Sequence, residues 1–148
     1  MTEFLLLLHI LLFMFSFALT AGIAILTNRV ARGGDAGTIH TVFSAARPLS
    51  MAGGIGWLLT AATGGALAAI YGLDMTAPWL LGSYAAFAVL IIVGFAMHAP
   101  WQARMIAASA SAGPELEAVI KSPAHRIAGL LSAASVVCLL YLMTARPG

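Results

Sequence analysis

Charge is scarce in this chain of 148 residues: Lys and Arg number seven and Asp and Glu five, together 8% of the sequence. The formal net charge is only +2, and so sparse a basic set does not form the electrostatic footprint that a nucleic-acid partner needs. Cysteine is rarer still. Cys138 stands alone, so no intrachain disulfide can form, and its neighbours Val136, Val137, Leu139 and Leu140 give it the character of a small buried hydrophobe. Also missing are a Walker-type phosphate loop, a dinucleotide-binding glycine fingerprint and a Ser-His-Asp set at recognised spacing. Nucleotide hydrolysis and the common hydrolase chemistries fall away, and no independent catalytic activity is expected. No His-x-x-x-His or paired Cys/His spacing marks a metal centre. Met14, Met51, Met97 and Met143 are too scattered for a copper-binding stripe and read as core filling.

Apolar length is what the chain has instead. Hydrophobic residues make up 61% of it and mean hydropathy is +1.00, more apolar surface than a water-soluble domain of this size can hide. Lipid is therefore the expected solvent. Four runs, at about 4–26, 48–70, 79–101 and 127–143, each come near the ~20 residues that cross a ~30 Å hydrocarbon layer. The first lacks the basic start of a signal peptide, having only Glu3 before it, and is long enough to be a retained span. Continuous apolar runs lack the alternation of barrel strands, and a lipid-exposed backbone must satisfy its own polar groups, so each run is a helix. The expectation is one all-α domain over residues 1–148, an integral membrane four-helix bundle running up-down-up-down. Pro48, Pro78 and Pro123 fall at or just before the predicted first turns, where a missing N–H costs nothing.

The connections set the orientation. Residues 71–77 are so short a link that helices two and three are expected as antiparallel neighbours in a tight hairpin. The longer connections, 27–47 and 103–122, read as solvated segments. The first holds a glycine turn followed by a polar extension of helix two from about Thr38, and the second a short surface helix in which Glu117 and Lys121 are spaced to pair. Arg29, Arg32, Arg47, Arg104, Lys121 and Arg126 all flank these two connections, against Arg146 alone on the other side, which predicts cytoplasmic connections and non-cytoplasmic termini. Four-residue spacings of small residues, such as Thr60/Gly64/Ala68, Ala61/Gly65/Ala69, Gly82/Ala86 and Gly129/Ala133, favour close helix packing or contact with another subunit or a second copy of the chain.

The histidines are the candidate chemical centres. His9 lies roughly 9 Å inside one edge of the first span and His98 near the opposite edge of the third, an axial separation of about 20 Å that no single metal bridges. At the depth of His9 the other spans offer Thr60, Thr63, Ser83, Tyr84, Tyr141 and Met143. This layer could hold haem b, with His9 and Met143 as axial ligands, or a quinone whose carbonyl accepts from the imidazole. At the other end His98 and His125, with His40 as a third candidate, sit near Arg104 and Arg126, and two histidines could grip a haem whose propionates pair with arginine. Three function classes follow: a redox or accessory membrane subunit, a small permease for a proton, metal or neutral solute, and a structural partner in a larger membrane complex.

Several short motifs in order add a family resemblance: Leu8-His9-Ile10, Gly33-Gly34-Asp35, Thr63-Gly64, Pro78-Trp79-Leu80, Gln102-Ala103-Arg104-Met105, and Leu142-Met143-Thr144-Ala145-Arg146-Pro147. Over essentially its whole length the chain resembles the bacterial family of predicted integral membrane proteins known as domain of unknown function 2269. The resemblance implies a four-span fold in the bacterial inner membrane and carries no established activity. A looser similarity, confined to the first helix and the bundle plan, links it to copper-resistance D-type proteins and to the HemJ-type protoporphyrinogen oxidase, in which a first-helix histidine is implicated in haem binding. His9 matches that pattern, and the lysine expected in the oxidase's third helix has no counterpart here.

Overall fold

Two apolar stripes that a hydropathy average does not separate from their polar surroundings extend the helices well beyond the expected spans. Ile39, Phe43 and Ala46 recur at helical spacing on one segment and Trp101, Met105 and Ala108 on another, and all six are buried. In the computed structural model, which describes residues 2–111 and 113–145, helices form α1 (Thr2–Gly33), α2 (Ala36–Ile70), α3 (Pro78–Val93), a π-helical turn (Gly94–His98), α4 (Ala99–Ser111), α5 (Pro114–Ile120) and α6 (Pro123–Ala145). No strand occurs among the described residues. Four helical segments are long and apolar enough to cross a membrane. Arg146, the basic residue expected on the termini side, lies outside the described residues.

The longer helices correct two expectations. Helix two starts at Ala36, capped by Asp35, whose carboxylate accepts from the Thr38 N–H at 2.9 Å and from its hydroxyl at 2.8 Å. These two bonds, the backbone one foremost, hold the Asp35 carboxyl below the usual carboxylate range. The cap is therefore present above that range and is lost as pH falls through the lowered value. Pro48 lies inside the helix and not at its first turn. The segment 103–122 is a solvated connector only in part: α4 runs on to Ser111, burying Met105 and Ala108 with Ile39, Phe43 and Trp101. The surface pair does form, Lys121 Nζ lying 3.0 Å from Glu117 Oε2 with both side chains exposed. Helices of 32 and 35 residues are roughly 50 Å long against a ~30 Å hydrocarbon layer. The excess forms a small packed unit beyond the apolar spans, here termed the loop end.

The π-helical turn has a local cause. Pro100 has no N–H for the carbonyl of Ala96, and the turn before it widens so that the Ala99 N–H reaches the Gly94 carbonyl. The widening rotates His98 relative to the helix that precedes it. At the opposite end, Gly72 adopts φ +61° to close α2, a conformation open to glycine. Asp74 then pins the turn by accepting from the Thr76 hydroxyl and N–H at 2.6 and 2.8 Å, bonds that lower its pKa in that order.

Packing is by pairs. α1 lies along α2 and α6 along α3, whereas α2 meets α3 sparsely although residues 71–77 join them. The tight hairpin of helices two and three is thus replaced by an antiparallel couple that splays. α2 turns its small residues to α1: a Cβ at Gly56 would collide with the Ser16 hydroxyl, and one at Gly53 would lie 3.0 Å from Thr20 Cγ2. Of the other small-residue spacings, Gly82 meets Leu142, and Gly65 and Gly129 face open space. Midway down, Trp57 joins the two pairs, its ring edge-on to Phe13 at 5.4 Å and to Phe87 at 6.0 Å, with Ala86, Leu90, Val136 and Leu139 buried around it. Gly56→Ala is expected to destabilise the protein by about 1–3 kcal/mol through this forced overlap. Gly65→Ala, which meets nothing, gains up to about 1 kcal/mol of helix propensity. Thermal melts of the two variants in one detergent check the opposite signs.

Candidate functional site

The splay between the helix pairs leaves a cleft of about 430 Å³ at the end of the bundle opposite the loop end, within the ~300–1,000 Å³ usual for small-molecule sites. α1 contributes His9, α2 Thr60, Ala61, Gly64 and Gly65, α3 a wall from Leu80 to Ile92, and α6 Met143. His9 is half-buried and its ring meets α2 at Gly64, where a Cβ would stand 2.9 Å from its Cε1. Glycine is what lets the imidazole rest there.

The ring is held by one nitrogen. His9 Nδ1 lies 3.0 Å from Thr63 Oγ1, and that hydroxyl has its own acceptors, the Leu59 carbonyl at 2.9 Å and the Thr60 carbonyl at 3.1 Å. Where the threonine hydrogen is directed to its own helix, His9 donates from Nδ1 to Thr63 and Nε2 keeps its lone pair. This is the arrangement by which a second-layer hydroxyl orients a histidine whose other nitrogen binds a ligand. In that tautomer Nε2 is a hydrogen-bond acceptor, whereas a donor to a quinone carbonyl needs the proton on Nε2. The other hydroxyls of the cleft are committed in the same way, Thr60 to Gly56 and Ser83 to Trp79, each at 2.8 Å. Tyr84 is less engaged, its hydroxyl reaching the Met75 sulfur at 3.5 Å.

At the loop end, His98 and His125 do meet, with ring centroids 5.5 Å apart and nearly perpendicular. Each is already bonded, His98 Nε2 to Ser132 Oγ at 3.2 Å and His125 Nε2 to Asn28 Oδ1 at 2.9 Å. The His125 ring stacks on Trp101 at 3.5 Å and 9°, and Trp101 in turn donates to the Val119 carbonyl at 3.2 Å. His125 Nδ1 is buried with no hydrogen-bond partner among the described residues. At His125 the indole thus occupies one face of the imidazole, one nitrogen is bonded to Asn28 and the other is buried. His40 stands apart from this pair, its Nδ1 bonded to the Ile106 carbonyl at 3.1 Å and to Ser109 at 3.3 Å. Among the described residues no three His, Cys, Asp or Glu side chains converge to hold a metal.

Of the residues expected at the His9 layer, Thr60, Ser83, Tyr84 and Met143 line the cleft with it, and Thr63 holds its ring. Tyr141 does not line the cleft and is exposed. Gly64, Phe87, Asn28, Trp101 and Ser132 complete the two histidine settings and were not singled out for these roles from the sequence, where the four-residue offsets Thr60–Gly64 and Ala128–Ser132 are the available signals. Solution or solid-state ¹⁵N spectra of histidine-labelled protein are expected to show His9 protonated at Nδ1 with a free Nε2. Thr63→Val should abolish that bias, and a native Nε2–H signal for His9 would contradict the assignment.

No curated protein and no solved structure matches this chain. A family model described as a predicted integral membrane protein matches residues 3–147, and those residues include the histidine of α1, the tip turn between α1 and α2 and the arginine of α4. With a match over nearly its full length and four membrane-crossing helices, the chain belongs to the family of predicted integral membrane proteins designated domain of unknown function 2269.

Proposed function

We propose that the chain is an accessory subunit of a bacterial inner-membrane redox system that binds the headgroup of a quinol in the His9 cleft, with the loop end facing the cytoplasm. The observation that carries this reading is the held imidazole: His9 Nδ1 lies 3.0 Å from the Thr63 hydroxyl, and with the proton on Nδ1 the ring presents Nε2 as an acceptor for a hydroxyl hydrogen. A quinol headgroup is a flat ring with a hydroxyl donor at each end, followed by an isoprenoid tail. The cleft suits it: Leu80, Phe87, Ile91 and Ile92 supply apolar walls, and Tyr84 is a second polar group able to turn toward a headgroup oxygen. The splay between α2 and α3 offers a tail a way into lipid.

Haem b in the same cleft would draw on His9 and Met143, but the lining contains no Lys or Arg to pair with propionates. Permeation of a solute would require a route past the buried Trp57 cluster, which joins α1, α2 and α3 through Phe13 and Phe87 below the cleft. Both features favour a binding role over a transport one.

Gently purified protein, extracted with organic solvent and analysed by chromatography and ultraviolet absorption, is expected to release near-stoichiometric quinone. His9→Phe, which keeps the ring volume and removes the acceptor, should lower that amount about tenfold, the value of one hydrogen bond of ~1.4 kcal/mol. Protein carrying only phospholipid would refute the proposal. A Soret band abolished by both His9→Ala and Met143→Leu would replace the quinol with haem.

A further inference from the structure

Three contacts tie all four membrane-crossing segments together at one level near the loop end. Asn28 of α1 meets His125 of α6 at 2.9 Å, His125 stacks on Trp101 of α4, and Gln102 of α4 reaches Ser50 of α2 at 3.3 Å. Each segment carries an arginine within about three residues of that level, Arg29 beside Asn28, Arg47 before Ser50, Arg104 after Gln102 and Arg126 beside His125, and α1 adds Arg32 one turn farther on. At 1.5 Å per residue the first four fall within roughly 5 Å of a single plane. The same plane is the hydropathic edge of the four spans, where headgroups begin.

All four arginines are exposed, and none makes an ion pair among the described residues. The acidic groups of this end are otherwise engaged or set apart: Asp35 caps α2, Glu117 pairs with Lys121, and Glu115 lines a small groove with Arg104 but stays beyond ion-pair distance. A guanidinium takes a phosphate through two parallel N–H bonds, and a basic side chain at this depth meets phosphodiesters before water. We propose that Arg29, Arg47, Arg104 and Arg126 form a collar at headgroup level that retains anionic phospholipids through their phosphates, one guanidinium per membrane-crossing segment.

The test is lipid retention. Full-length protein is reconstituted in nanodiscs of equal phosphatidylglycerol and phosphatidylcholine, released gently into detergent and weighed by native mass spectrometry with its bound lipid. The wild type is expected to carry phosphatidylglycerol over phosphatidylcholine by about fivefold or more, the factor that matches roughly one basic contact. The fourfold Arg→Gln variant should lose the preference, with helical circular dichroism reporting its fold, and Arg104→Gln and Arg47→Gln singly should each reduce it if the fourfold variant does not assemble. Lys121→Gln, whose charge is already paired, should leave it unchanged. Equal retention of both lipids by the wild type, or an undiminished preference in the arginine variants, would overturn the proposal. Displacement of the lipid by millimolar inorganic phosphate would also overturn it, by showing a site for free phosphate.

Discussion

The backbone of α1 can run against α2 because α2 presents glycine where they touch. A Cβ at Gly56 would overlap Ser16, and one at Gly64 would crowd the His9 ring at Cε1. In lipid there is little hydrophobic drive between helices, so close van der Waals approach over small residues and hydrogen bonds across the interface supply the association. The Ser16 hydroxyl bonds the Leu12 carbonyl of its own helix, while His9 to Thr63 and the Trp57 indole N–H to the Thr20 hydroxyl are polar links between α1 and α2. The seat of the imidazole and the pairing of the helices are therefore one feature.

From that pairing the rest of the arrangement follows. With α1 committed to α2, and α6 to α3, the two pairs meet at the Trp57 cluster and again at the loop end, where α2 packs on α4. They separate at the end that carries His9. The cleft is what remains where two well-packed pairs do not close on each other, and its polar groups are chiefly the His9 imidazole and the Tyr84 hydroxyl. His98 and His125 differ in that their Nε2 atoms are bonded and the His125 ring is stacked on Trp101.

Much of this was legible in the sequence. Four apolar runs, their helical form and the family follow from hydropathy and from motif order, because lipid leaves few alternatives for a spanning backbone. The layer of His9, Thr60, Thr63, Ser83, Tyr84 and Met143 was predictable from axial rise alone, since depth depends on residue count. Azimuth was not: Tyr141 has the right depth and faces away from the cleft. The extension of α2 was legible from about Thr38 and begins two residues earlier, at Ala36; what the lowered hydropathy around Asp35, Thr38 and Arg47 hid is that Ile39, Phe43 and Ala46 form a buried stripe. The expected hairpin of helices two and three rested on a seven-residue connection between Ile70 and Pro78, which enforces antiparallel direction and not side-by-side contact. Pro100 beside Gly94 is the local signal for the π-helical turn that sets His98.

The central claim, that the His9 cleft receives a quinol headgroup, is tested most directly by a photoactivatable quinone analogue carrying its reactive group on the ring. After reduction, irradiation in native membranes and peptide mass spectrometry, the account predicts adducts on cleft residues such as Tyr84, Phe87 and Ile91 that unlabelled quinol suppresses. Adducts spread over exposed apolar residues such as Leu7, Ile25 and Leu130, unaffected by competitor, would contradict it.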